Sequence, residues 1–175
     1  MLKKIWLSFL SILSMSCSNS DLDHYKNNNM PPIHFQEYLN GHITGTGIIQ
    51  DRKGILTKSF EFSGDASWQG DKGQFHEKMV YNDGKIDTRV WTFKKISDNQ
   101  YEGYTDEVIG KSVIYISGNA MNWKYKMNVK VGDKTYLISF DDWMFLLPDG
   151  KLMNRNYFKK FGLTVGELTL LMQKS

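Results

Sequence analysis

MNWKYKMNVKV, residues 121–131, alternates without a break. Met121, Trp123, Tyr125, Met127 and Val129 fall on one side of an extended chain; Asn122, Lys124, Lys126, Asn128 and Lys130 fall on the other. A period of two with one apolar side predicts a strand that buries one surface and wets the other. Gly132-Asp133 offers a turn, and residues 135–147 return as a second strand. The same rhythm runs outward in both directions. Upstream, residues 42–50 and 55–63 flank the turn Asp51-Arg52-Lys53-Gly54, and residues 66–69 follow Gly64-Asp65. Residues 74–81 lead into Asn82-Asp83-Gly84, a strong hairpin signal. Residues 86–96, 101–108 and 113–117 continue the series, and downstream so do 151–156 and 166–172.

These stretches predict about nine or ten short antiparallel strands joined by hairpins. Residues 33–38 suit a short strand or one helical turn, and at most one short helix is expected, over residues 156–161. The predicted class is all-β, an antiparallel up-and-down β-barrel. Sequential hairpins without long crossovers favour the barrel over a sandwich, and closure also removes exposed strand edges. No internal repeat suggests propeller blades.

Composition agrees with that reading. Aromatic residues make up 14% and apolar residues 41%, enough for a real core, and fifteen glycines against three prolines suit strands and tight turns. The formal charge is +3, but two of those charges are Lys3 and Lys4, so the chain beyond residue 16 carries about +1. Nucleic-acid binding has no electrostatic footprint here.

Residues 1–17, MLKKIWLSFLSILSMSC, have a short basic start, an apolar segment over 5–13 and small residues before Cys17. The apolar run is too short to span a bilayer and has the layout of a secretory signal. Cys17 after a small residue resembles the bacterial lipoprotein signal, which implies cleavage before Cys17 and lipid attached to it. Leu13 lies four residues before the cysteine, where that pattern has leucine three before. Ser18 rather than Asp follows Cys17, which by the same resemblance points to the outer membrane. The expected organisation is a signal peptide over 1–16, a lipidated cysteine and flexible tether over 17–32, and a barrel over 33–175. A lone cysteine leaves no intramolecular disulfide to hold the fold.

Six stretches together resemble one family: TGTGIIQDRKG (44–54), VYNDGKIDTRVW (80–91), YEGYTDEVIGKS (101–112), SGNAMNWKYKMNV (117–129), FDDWMFL (140–146) and NRNYFKKFGLTVGELTL (154–170). That family is DUF3833, uncharacterised bacterial lipoproteins. The resemblance implies an envelope lipoprotein with a lipocalin-like barrel, and it brings no established activity. Glu107 departs from the family pattern, which has a second Asp after Asp106.

The candidate chemistry is sparse. Histidines 24, 34, 42 and 76 show no metal-binding spacing, and no nucleophile elbow or Cys–His pair is present. Asp106/Glu107 and Asp141/Asp142 are adjacent carboxylates, but on a strand each pair divides between opposite faces. Asp51, Glu77, Asp106 or Asp142 could act as an inward acid or base, or could pair with Arg52, Arg89 or Arg155. Arg89 shares a face with Trp91 and Phe93. A two-residue Asp149-Gly150 turn would set Arg155 opposite Met144 and diagonal to Asp142. Candidate ligand-binding residues are therefore Arg89, Trp91, Trp123, Tyr125, Asp142, Met144 and Arg155, with no catalytic residue, metal or cofactor assigned.

A lumen with a charge pair amid Met and aromatics describes a small-molecule pocket, and it equally describes a filled core pinned by one salt bridge. The leading expectation is a monomeric, membrane-anchored binding protein for a lipid-like or other apolar small molecule. An enzyme acting on an envelope lipid and a surface-acting assembly lipoprotein are the alternatives.

Overall fold

The computed structural model describes residues 20–27 and 29–175. The expected signal peptide and Cys17 lie outside them. Ten strands follow two single-turn helices, α1 (Ser20–Asp23) and α2 (Phe35–Tyr38). The strands are β1 (Gly41–Asp51), β2 (Leu56–Gln69), β3 (Lys72–Tyr81), β4 (Ile86–Ser97) and β5 (Gln100–Tyr104), then β6 (Val113–Ser117), β7 (Ala120–Val131), β8 (Lys134–Leu146), β9 (Leu152–Lys160) and β10 (Leu163–Lys174). Each pairs antiparallel with its neighbours in sequence, and β10 closes on β1. The result is a closed up-and-down barrel.

The faces of β7 alternate as expected, except that Asn122 on the outer face is buried and donates to Asp141. Met121, Trp123, Tyr125 and Met127 are buried inside the barrel, while Lys124, Lys126 and Asn128 are exposed outside it. Strand β2 is one continuous element through Gly64, with Phe60, Phe62 and Ala66 inward. Gly64 is there because the ring of Phe75 lies over it: a Cβ at that position would come within 2.3 Å of the ring.

Two local expectations are overturned. Residues 156–161 are not helical; β9 runs to Lys160, with Asn156 and Phe158 on its inner face. The chain reverses at Phe161 and Gly162, both at positive φ (51° and 80°), as a two-residue type I′ hairpin requires. The β8–β9 hairpin is longer than a two-residue turn. Leu147 N–H donates to Lys151 O (2.8 Å) and Gly150 N–H to Leu147 O (3.0 Å), so Pro148, Asp149 and Gly150 form a three-residue loop with Gly150 at φ 80°. That extra residue slips the register by one and flips every β9 side chain to the opposite face. Arg155 consequently pairs across from Trp143 on the outside, and Asn154 takes the place opposite Met144.

Helix α2 closes one end of the barrel. Phe35 is buried, with its ring 4.6 Å from that of Tyr101 and 5.2 Å from that of Phe93. Trp68 Nε1 donates to Leu39 O just beyond the helix. Upstream of it the chain lies against the same end: Ile33 N–H donates to Gly118 O (2.9 Å), Leu22 is buried, and Tyr25 packs against Trp143 and Phe145 on the outer wall. The opposite end is the mouth.

Candidate functional site

The barrel is hollow, with a cavity that reaches from beneath α2 to the mouth. At the α2 end the fully buried Phe93, Met121 and Leu152, with Phe35 and Leu39, form the floor of this cavity. The cavity measures about 530 Å³ and towards the mouth is lined among others by the half-buried Ile49, Met79, Phe140, Phe158 and Leu168. That volume falls within the range of ligand pockets.

Six of the seven expected ligand-binding residues line this cavity: Arg89, Trp91, Trp123, Tyr125, Asp142 and Met144. Arg155 does not. It points outward, is nearly half exposed, and its guanidinium is 3.1 Å from Glu167 on β10. The expected Asp142–Arg155 couple is therefore absent, because the one-residue slip of β9 turns Arg155 away from the lumen.

What Asp142 meets instead is a pair of asparagines. Asn156 Nδ2 donates to Asp142 Oδ2 (2.9 Å), and Asn154 Nδ2 donates to Asp142 Oδ1. Asn156 Nδ2 also donates to the Tyr125 hydroxyl at 3.1 Å, while Asn156 Oδ1, though buried, has no hydrogen-bond partner. Among the described residues no cation pairs with Asp142. Burial pushes its carboxyl up to about 8, and the neighbouring Glu77 and Asp141 charges push the same way against the two amides. Burial and the nearby Asp142 carboxylate also hold the Tyr125 hydroxyl well above its ordinary pKa, so it stays protonated.

A second polar group sits on the wall formed by β3 and β4. Glu77 and Arg89 are direct cross-strand partners, with Arg89 Nη1 to Glu77 Oε1 at 2.9 Å, and Trp91 Nε1 donates to the same oxygen at 3.3 Å. Glu107, on the β5–β6 connection, accepts from Arg89 Nε at 2.5 Å. Burial raises the Glu77 pKa, partly offset by Arg89 and Trp91. Burial also opposes the Arg89 charge, but Glu77 and Glu107 outweigh it and raise the Arg89 pKa.

Asp141 and Asp142 divide between faces, whereas Asp106 and Glu107 are not on a strand, because β5 ends at Tyr104 rather than running on to residue 108. Asp141 is outside, 2.5 Å from Lys159 Nζ, while Asp142 is inside. Among the described residues no three His, Cys, Asp or Glu side chains come together. Asn154 and Asn156 are the cavity-lining polar residues the sequence reading missed. Their signal was two amides alternating with Leu152 and Phe158 on one strand face, legible only once that face is known to be the inner one.

A family model described as protein of unknown function (DUF3833) matches residues 11–174. The chain belongs to this family. A search of curated proteins finds no match for this DUF3833 chain. Among solved structures, the S-type phycobiliprotein lyase CPES from Guillardia theta superposes with a TM-score of 0.56 at 8% identity, covering 81% of this chain and 92% of that one. That likeness establishes the lipocalin-like barrel. EF1p2_mFAP2b bound to DFHBI gives a TM-score of 0.36 at 12% identity, over 79% of this chain and 95% of that one.

Proposed function

We propose that this DUF3833 protein binds an apolar small molecule in the lumen of its barrel. We further propose that lipid on Cys17, after removal of residues 1–16, holds it at the bacterial outer membrane. One observation carries the binding reading: the lumen holds a cavity of about 530 Å³ with apolar walls and a few convergent polar groups. A barrel evolved only as a scaffold gains nothing from leaving methionine and aromatic surface unburied, since each unburied apolar side chain forgoes roughly 1.5–3 kcal/mol. Pockets of this size, mostly apolar with a handful of fixed polar groups, are the usual form of small-molecule sites.

The neutral probe N-phenyl-1-naphthylamine tests the reading, because its emission rises in apolar surroundings. Binding is expected to be saturable, with quenching of tryptophan fluorescence from Trp91 and Trp123 in the lumen. A Met144→Trp or Leu168→Trp substitution, which fills the cavity, is expected to weaken it at least tenfold. Probe emission that stays at the buffer level at every protein concentration would sink the proposal.

A further inference from the structure

The charged groups of the lumen are unequal in what they leave free. Arg89 is the cation expected to hold an acidic head group, yet two of its nitrogens already face carboxylates, Glu77 at 2.9 Å and Glu107 at 2.5 Å. The other cations on the cavity wall lie at the mouth: Lys85, 2.9 Å from Asp87, and the exposed Lys130. Deeper, Asp142 has no cationic partner among the described residues and is held by amide donors alone. Beside it Asn156, which also lines the cavity, has an acceptor oxygen with nothing bonded to it. A buried acceptor without a donor is costly, and native proteins seldom leave one unmet.

Deep in the lumen, then, acceptors and negative charge exceed available donors. A carboxylate entering here would meet Glu77 and Glu107, and the guanidinium of Arg89 that could receive it already serves both. An ammonium or other N–H donor would meet Asn156 Oδ1, which lacks a donor, and the Asp142 carboxyl, which burial keeps protonated until a cation beside it favours the ionised form.

Resting on the proposal of a small-molecule site, we propose that the ligand carries a hydrogen-bond-donating, cationic nitrogen head on an apolar body, and that Asp142 and Asn156 receive that head. The same arrangement selects against fatty-acid-like carboxylates. Like charges in a low-dielectric site repel strongly, so discrimination arises from the clash as well as from the contact.

A matched series tests this directly. n-Octylamine, 1-octanol and octanoate have equal chains and differ only in the head. Titration calorimetry on the purified protein at pH 7 is expected to give at least tenfold tighter binding for octylamine than for octanoate, with octanol between them. Asn156→Leu, which removes the free acceptor, is expected to shrink the amine-to-alcohol ratio at least threefold. Asp142→Asn should shrink it further, and Glu107→Gln, at a half-exposed site, should ease octanoate binding should the buried variants fail to fold. Octanoate binding as tightly as octylamine would overturn this inference alone and leave the small-molecule site standing. If no member of the series binds, and the naphthylamine probe fails as well, both fall together.

Discussion

Burial gives Asp142 an electrostatic stake in the fold. Its carboxyl has a pKa of about 8 in the folded protein, raised by burial, against an unfolded value of about 4. The folded state therefore holds a proton that the unfolded state releases across the window between those values. The stability tied to that proton is complete below about pH 4 and is lost as pH rises through about 8. Glu77, also raised by burial, acts in the same direction. The carboxylates whose pKa is lowered, Asp83, Asp98, Asp149 and Asp141, act in a separate window: their contribution is lost only as pH falls below about 4. Urea midpoints should accordingly decline from pH 5 to pH 8.5, and Asp142→Asn should make that decline shallower. A midpoint that is flat or rising over this interval would show instead that Asp142 is ionised and compensated in the folded protein.

The hairpins are where strain and legibility meet. Phe161 occupies a left-handed position (φ 51°) at the tip of the β9–β10 turn and is 94% exposed. A bulky residue there has an unfavourable backbone and buries almost nothing in return, whereas Asn-Gly is the preferred pair for this turn. Phe161→Asn should therefore stabilise the barrel by about 1 kcal/mol in urea denaturation. A loss of stability instead would mean the ring has a partner that outweighs its strain. Turn chemistry also explains what could be read from the chain. Faces were legible wherever alternation was unbroken, as in β7, because a period of two needs no knowledge of the neighbours. The β8–β9 pairing was not, because Pro148-Asp149-Gly150 suits both a two- and a three-residue loop, and the choice reverses a whole strand. That one ambiguity put Arg155 in the lumen and kept Asn154 and Asn156 out of it. The Glu77–Arg89 pair was among the ion pairs the sequence allowed, and adjacent, unambiguous hairpin partners make it real. Glu107 was not legible as its third member, because it reaches Arg89 from an irregular connection rather than from a strand. The cavity was beyond reach for another reason: its volume is set by how ten strands pack their side chains together, which no single stretch encodes.

The barrel as a whole has two unlike ends. The α2 end is plugged by Phe35 and Leu39 and carries the incoming chain, with Tyr25 against Trp143 and Phe145. The mouth carries exposed apolar residues on successive hairpins: Ile55 and Leu56, Phe161 and Leu163, and Val131, each more than half exposed. Those three hairpins are neighbours around the rim, since β1, β10, β9, β8 and β7 follow one another in the sheet. If Cys17 bears the proposed lipid, only a few residues separate it from α1, so the anchor lies by the plugged end. An extended residue spans at most about 3.6 Å, which keeps the anchor within roughly one strand length of that end while α1 stays docked. The mouth then faces away from the bilayer that holds the protein, and ligand enters from the aqueous side. Thiol labelling can establish this orientation, because lipidation consumes the sulfur of Cys17 and leaves an introduced cysteine as the sole free thiol. In permeabilised membranes, Phe161→Cys at the mouth should react with a bulky maleimide as fast as in the detergent-solubilised protein. Asp149→Cys, on a hairpin at the plugged end, should react several-fold more slowly in the membrane than in detergent. The opposite ranking would place the mouth against the lipid, and would require α1 to leave its seat on the barrel wall.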